Sequence, residues 1–177
     1  MSIPREELFE ETNKTEEREA KKVAEKWINE AKGMKDTNEA EVLKSAKLYL
    51  AMKRLMKKYR CDAITTEGYG VFADYYKGPI PSQGLPSSQF CTDGIVATSE
   101  TLIDSLITQQ LGLYITGRPG FNGDYLIDPH NNIAIIGHCE CPFNPYGDKR
   151  MPLYHQKPST MEEECGRCMR TSRSTSR

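Results

Sequence analysis

Three side chains of the kinds that bind divalent metals follow three separate apolar runs. Glu67 follows CDAITT, Glu100 comes just after GIVAT, and His138 follows NIAIIG. In open α/β sheets, groups at the carboxyl ends of neighbouring strands converge at one edge of the sheet. Two carboxylates and an imidazole suit Mn²⁺ or a similar divalent ion better than a metal that prefers thiolates. We therefore predict a metal site at Glu67, Glu100 and His138.

Such a site would suit proton transfer on a substrate that binds the metal, for example a sugar. A metal bound to adjacent sugar oxygens polarises the carbonyl and orients the hydroxyl, while a carboxylate that does not bind the metal moves a proton. Spacing alone leaves a simpler alternative open, because a Glu or His at a strand end is often a cap, a surface residue or a satisfied hydrogen-bonding group.

The cysteines offer a different site. Two pairs of cysteines in the C-terminal part of the chain, together with a histidine beside the first pair, have the residue types of a Cys₄ or Cys₃His zinc centre. These residues are His138, Cys139, Cys141, Cys165 and Cys168. The chain would then be a non-catalytic zinc-binding or interaction module. The remaining two thiols, Cys61 and Cys91, are expected to be small buried hydrophobes.

Two helices precede the first of these strands. Residues 15–32 place apolar side chains on one helical face, with Thr15 as the expected N-cap. A second helix is predicted to begin at Asn38, which has capping-box spacing to Glu41, and to end near Tyr59. Both helices need a sheet or neighbouring helices to cover their apolar faces.

The later elements are predicted from shorter patterns. The Pro, Gly and Ser content of residues 78–88 favours a loop, with a weak helix signal over residues 89–93. Ser99 is expected to cap a helix that has Glu100 in its first turn. We expect this helix to bury the apolar residues Leu102, Ile103, Leu106, Ile107 and Leu111 in the core.

Residues 125–127 and 131–136 resemble two strands joined by a turn. Together with the earlier elements they predict an α/β fold, with helices packed on a small, mostly parallel sheet and a short β-hairpin near the C-terminal end. We expect an N-terminal extension over residues 1–14, an α/β domain over 15–154 and a disordered polar tail over 155–177.

Charge is distributed unevenly along the chain. Residues 61–150 contain 4 Lys+Arg and 10 Asp+Glu, whereas both flanks are basic and the whole chain has a net charge of −1. The acidic middle suits cations and argues against a nucleic-acid partner. We find no secretory signal and no apolar run long enough for a membrane span, so we expect a cytoplasmic protein with no membrane partner.

The middle of the chain resembles a known family. The segments CDAITTEGYG, LPSSQFCTDGIVATSETLIDSLITQQLGLYITGRPGF and IAIIGHCECPFNPYG are similar to parts of the L-fucose and L-arabinose isomerase family, and most similar to its fucose-isomerase-like members. The resemblance implies Mn²⁺, with Glu67 and Glu100 as ligands and proton-transferring residues and His138 as a further ligand. It implies a small-molecule sugar substrate, aldose-ketose isomerisation and a homo-oligomer.

The resemblance covers roughly residues 15–154, which correspond to the middle α/β domain of the much longer family enzymes. We therefore expect an incomplete enzyme fragment, whose activity as an intramolecular oxidoreductase is reduced or lost in this chain alone. His155 does not lie in a context that matches the family's fourth metal ligand, so no fourth ligand is assigned.

Overall fold

The described parts of the computed structural model, residues 1–35, 37–67, 83–118, 120–143 and 153–154, contain helices and short paired strands. The helices are α1 Arg5–Asn13, α2 Glu17–Glu30, α3 Glu39–Tyr59, α4 Gly84–Thr92 and α5 Ile103–Thr116. The strands are β1 Met34–Lys35, β2 Ala63–Thr65, β3 Val96–Thr98, β4 Asp124–Asp128, β5 Ile133–Gly137 and β6 Leu153–Tyr154. The predicted α/β class is confirmed.

The strands pair two by two. β1 pairs with β6 and β2 with β3, both in parallel, while β4 and β5 form an antiparallel hairpin. In the central pair, Ala63 lies opposite Val96 and Thr65 opposite Thr98, and the chain crosses between these two strands through α4. The carboxyl ends of β2 and β3 therefore lie side by side.

Helix α3 forms the centre of the core. The side chain of Asn38 accepts a hydrogen bond from the Glu41 backbone N–H at 3.1 Å, so the predicted cap is confirmed. The helix ends where Arg60 turns into the left-handed region, with φ at 55°. Its buried side chains pack against the apolar face of α2, which consists of Ala20, Ala24 and Trp27.

The expected N-terminal extension contains helix α1, which packs against α3. Glu7 accepts hydrogen bonds from both Lys58 and Tyr59 of α3. The Thr15 hydroxyl donates to the Glu11 carbonyl at 2.9 Å. Thr15 therefore belongs to the end of α1, and the prediction that it caps α2 is wrong, because α2 begins after Glu16 without a side-chain cap.

Helix α4 includes residues that the sequence predicted as loop. Residues 84–88 are helical, so that part of the loop prediction is wrong, while residues 78–82 lie outside the described residues. The weak helix signal at residues 89–93 marked only the end of this helix. Its buried side chains, including Phe90 and Cys91, join the core, and tertiary packing of this kind overrides weak local propensity.

A polar network that is buried at Trp27 and Gln89 and reaches the exposed Asp93 joins α2, α3 and the end of α4. Trp27 Nε1 donates to Gln89 Oε1 at 2.6 Å, and Gln89 Nε2 donates to Asp93 Oδ1 at 2.7 Å. The Tyr49 hydroxyl donates to the other Asp93 oxygen at 3.1 Å. Burial and the Asp93 carboxylate both raise the pKa of Tyr49, so its hydroxyl keeps its proton and remains a donor.

Helix α5 begins later than the sequence suggested, and its apolar face lies toward solvent rather than toward the core. Its N-cap is Leu102, so the predictions that Ser99 caps it and that Glu100 lies in its first turn are wrong. Instead, Glu100 and Thr101 both have positive φ, at 61° and 56°. The prediction of a buried apolar stripe is also wrong, because Ile107 and Leu111 are more than half exposed.

The predicted hairpin near the C-terminal end is confirmed as β4 and β5. Asp128 organises its turn by accepting hydrogen bonds from the backbone N–H groups of His130 and Asn131. None of the helices in the described part of the chain combines the length and apolar character that a membrane crossing requires. The predicted tail, residues 155–177, lies outside the described residues, and the domain boundaries stay a prediction.

The Gln89 network yields a first prediction. Gln89→Ala leaves the buried Trp27 N–H without its acceptor and removes one of the two side-chain hydrogen bonds to Asp93, so the free energy of unfolding should fall by about 2 to 3 kcal/mol. Tyr49→Phe removes only one hydroxyl and should cost about 1 kcal/mol. Urea unfolding monitored by Trp27 fluorescence measures both variants. Equal losses of unfolding free energy in the two variants would show that Gln89 contributes no more to stability than the Tyr49 hydroxyl.

Candidate metal centre

The carboxyl ends of β2 and β3 place two predicted ligands beside each other. Thr66 N–H donates to the Thr98 carbonyl at 3.2 Å, and Thr101 N–H donates back to the Thr66 carbonyl at 3.1 Å. The strand pairing thus continues past the strands into the segments that carry Glu67 and Glu100. Both residues are exposed, so both are accessible to a ligand from solvent.

Glu100 occupies an unusual backbone conformation. It and Thr101 form two consecutive non-glycine residues in the left-handed region, where the Cβ atom crowds the backbone. Such residues persist only where surrounding contacts hold them, and they cluster at functional sites. Here the bond from Thr101 N–H to the Thr66 carbonyl holds the turn.

The third predicted ligand, His138, reaches the same strand end through a carboxylate that the sequence analysis did not single out. Glu140 Oε1 accepts from both the backbone N–H and the hydroxyl of Ser99, each at 3.0 Å. His138 Nδ1 lies 3.3 Å from that same oxygen. Glu140 therefore connects the segment after β5 to the residue that precedes Glu100.

The segment that carries Glu140 is also anchored on its other side. Phe143 N–H donates to the Thr92 hydroxyl at 2.9 Å, and the Phe143 ring packs edge-on against Trp27 with centroids 6.2 Å apart. These contacts join residues 138–143 to the end of α4 and to the core. They hold Glu140 in a position where only 1% of its surface is exposed.

Burial dominates the electrostatics of Glu140. Loss of hydration raises the pKa of Glu140, His138 and the Ser99 donors oppose that rise, and the Glu100 charge adds to it. Glu100 directly follows Ser99, whose backbone N–H and hydroxyl both donate to Glu140. Among the described residues, Glu140 Oε2 has no hydrogen-bond partner, although it is buried.

These residues include a set of potential metal ligands. One donor atom from each of His138, Cys139 and Glu140 lies within 4.8 Å of the others. A nitrogen, a sulfur and an oxygen match the donors that Zn²⁺ accepts, whereas Mn²⁺ favours oxygen. The chemistry of the site thus depends on whether Cys139 or the exposed carboxylates complete it.

The structure brings together some of the predicted residues. His138 belongs to the compact donor group, while Glu67 and Glu100 lie outside it on the adjacent strand ends. The ligand assignment of Glu67, Glu100 and His138 stays a prediction. Glu140 was overlooked because it follows no strand directly. Its position between two cysteines, two residues after a predicted ligand, was the available signal.

The cysteine alternative is represented only in part by the described residues. Cys139 is in the donor group, Cys141 is not, and Cys165 and Cys168 lie outside the described residues. Burial raises the pKa of Cys141 to about 11, which disfavours the thiolate that binds zinc. Cys91 is buried as expected, with its pKa raised to about 11, whereas Cys61 is only half-buried.

Comparisons with known proteins leave the site to be interpreted by itself. No protein-family model, no curated protein and no solved structure matches this chain. Any function must therefore be argued from the side chains that the fold brings together.

The buried Glu140 carboxyl predicts how stability depends on pH in metal-free protein. Because its pKa in the folded state lies above the ordinary 4.5, the folded state binds more protons between these two values. The contribution of this group to stability is therefore fully present below pH 4.5 and is lost as pH rises through the raised pKa.

Glu140→Gln keeps an oxygen that accepts from Ser99 but cannot titrate. In EDTA, the parent should lose stability relative to Glu140→Gln as pH rises from 4.5 toward 8. Urea unfolding of both proteins across this range gives the difference in free energy of unfolding. A difference that is constant with pH, or that changes in the opposite direction, would show that Glu140 has no raised pKa.

Proposed function

We propose that this chain binds a divalent metal ion at the carboxyl ends of β2 and β3, and that the site serves aldose-ketose isomerisation of a sugar. The observation that carries the proposal is the Glu140 carboxylate, which is buried beside His138 and has one oxygen without a partner among the described residues. A buried carboxylate oxygen is costly without a proton, a hydrogen bond or a cation.

A cation at this position is favoured by its surroundings. The segment from residue 61 to 150 has a net charge of −6, Glu67 and Glu100 follow the paired strands β2 and β3, and Glu140 is hydrogen-bonded to Ser99, the residue before Glu100. Their mutual repulsion is relieved by positive charge, which also favours the ionised form of Glu140. Lys21, Arg54 and Lys58 form ion pairs with glutamates of α1 and α2.

The sugar chemistry follows from the division between buried and exposed groups. His138 and Glu140 are suited to hold a metal, which when bound supplies polarisation of a sugar carbonyl. Glu67 and Glu100 remain exposed beside it and are suited to accept and return the proton that moves between adjacent carbons. The resemblance of the surrounding segments to fucose and arabinose isomerases supports this reading of the carboxylates.

The strained turn at Glu100 also supports a functional reading of the strand end. A left-handed Glu followed by a left-handed Thr costs conformational free energy that a simple connection between β3 and α5 does not require. The turn directs the chain so that Ser99 donates twice to Glu140 while the next residue lies exposed. We infer that the turn fixes the relative positions of the two carboxylates.

A second candidate function is a zinc-binding module without catalysis. One specific observation favours it, which is the presence of Cys139 in the compact donor group, with its Sγ 3.6 Å from His138 Nδ1. In that case the thiolate would replace the exposed carboxylates as the third ligand. The two functions therefore differ in the variant that abolishes metal binding.

The test is thermal unfolding with EDTA, Mn²⁺ or Zn²⁺. A metal that binds only the folded state at about a hundred times its dissociation constant should add roughly 2.7 kcal/mol of stability. For the isomerase site, we expect Mn²⁺ to stabilise the parent, His138→Ala and Glu140→Gln to lose most of that effect, and Cys139→Ser to keep it.

Two further variants complete the experiment. Glu67→Gln and Glu100→Gln should weaken Mn²⁺ binding or, where they move protons, abolish ketose formation from a panel of aldoses while metal binding persists. Glu25→Gln on the exposed face of α2 is the matched control and should change neither property. Stabilisation by Zn²⁺ alone, lost in Cys139→Ser, would replace the isomerase proposal with the zinc module. Stabilisation by neither metal would overturn both.

A further inference from the structure

Helix α5 presents an apolar stripe to solvent rather than to the core. Its exposed large side chains recur at helical spacing, with Ile103 at 51%, Ile107 at 56% and Leu111 at 56% exposure, followed by Tyr114 and Ile115 at 73% and 83%. The residue of this helix that is buried is the polar Gln109. The helix is therefore inverted with respect to the usual amphipathic arrangement.

The β4–β5 hairpin exposes a second apolar surface. Tyr125 lies opposite Ile136 in the register, and Ile127 is two residues further along β4 on the same face. These three side chains are 76%, 60% and 63% exposed. In the described part of the chain the hairpin pairs with no third strand, and a two-stranded hairpin is at best marginally stable in water.

Helix and hairpin are close neighbours along the chain and are joined by a tight connection. A Cβ atom at Gly120 would lie 3.2 Å from the Gln109 side chain, and one at Gly123 would lie 2.8 Å from Ile136. Glycine at these positions lets the connection pack against both elements. We call the exposed apolar side chains of α5 and of this hairpin face the α5–hairpin surface, namely Leu102, Ile103, Ile107, Leu111, Tyr114, Ile115, Tyr125, Ile127 and Ile136.

We propose that the α5–hairpin surface is the interface through which two copies of this chain associate. Its area is sufficient: the exposed parts of these side chains amount to on the order of 1,000 Å², against about 800 Å² per partner in a stable complex.

The charge of the surface fits a second copy better than a charged partner. Asp104 is the one charged residue of α5, β4 has charged residues only at its two ends, Asp124 and Asp128, and β5 contains no charge. In a two-fold interface each patch meets itself, so any net charge within it would be repelled by its own copy. The side chains that define the α5–hairpin surface are all uncharged and avoid this cost, and the free edge of the hairpin adds backbone groups that pair with a symmetry-related strand.

The proposal does not depend on metal binding, and the experiment separates the two. Sedimentation equilibrium is measured in EDTA and again with Mn²⁺ or Zn²⁺, at concentrations up to about 100 μM, where a dimer of micromolar affinity is nearly complete. The parent should be dimeric in all conditions. A dimer seen only with metal would overturn the proposal, because it would place a metal between the copies.

Ile107→Asp and Ile127→Asp test the two elements separately. Each puts a charge into the apolar interface and should raise the dimer dissociation constant at least about tenfold. Lys22→Gln, on the exposed face of α2, changes the net charge by the same amount and should leave the constant unchanged. Because all three positions are exposed or partly exposed, thermal unfolding should show that every variant still folds.

Two other outcomes would overturn the dimer proposal. A parent that remains monomeric at the highest concentration would overturn the proposal and leave the surface to a different occupant. A dimer that neither aspartate variant weakens would overturn it as well, since the copies would then meet through another face. Metal stabilisation of a monomeric parent would support the metal site while this proposal fails.

Discussion

The arrangement of this chain around its candidate site depends on one buried carboxylate. Glu140 Oε1 accepts two hydrogen bonds from Ser99 and lies 3.3 Å from His138, so a single oxygen joins the segment after β5 to the end of β3. Removing a carboxylate from water costs several kcal/mol, and these partners offset only part of that cost. The oxygen without a partner among the described residues is what makes the site suited to a cation rather than simply to structural support.

The core explains how such a carboxylate is held in place. The network of Trp27, Gln89 and Asp93 fixes the end of α4. At that end, the Thr92 hydroxyl accepts a hydrogen bond from the backbone N–H of Phe143. Residues 138–143 are therefore positioned between two anchors, one in the core and one at the strand end. Neither anchor is local in sequence, so the site exists only once helices α2, α3 and α4 have packed together.

Local chemistry made part of this structure predictable. The Asn38 cap and the hairpin turn at Asp128 each rest on contacts within a few residues. The convergence of two strand ends followed from parallel pairing, because that pairing places their carboxyl ends at one edge. Glu140 was not predictable in this way, since its burial depends on Ser99, which is 41 residues distant.

Helix α5 shows a different limit of sequence patterns. Apolar spacing identified the helical face correctly, but periodicity states only that a face avoids water and not what covers it. Here β2 and β3 contact the face that contains Gln109, while Ile107 and Leu111 lie exposed. The exposed Glu100 lies within the turn at Glu100 and Thr101, and the exposed stripe of α5 follows it. That left-handed turn therefore sets both the geometry of the candidate metal centre and the direction in which α5 presents its apolar surface.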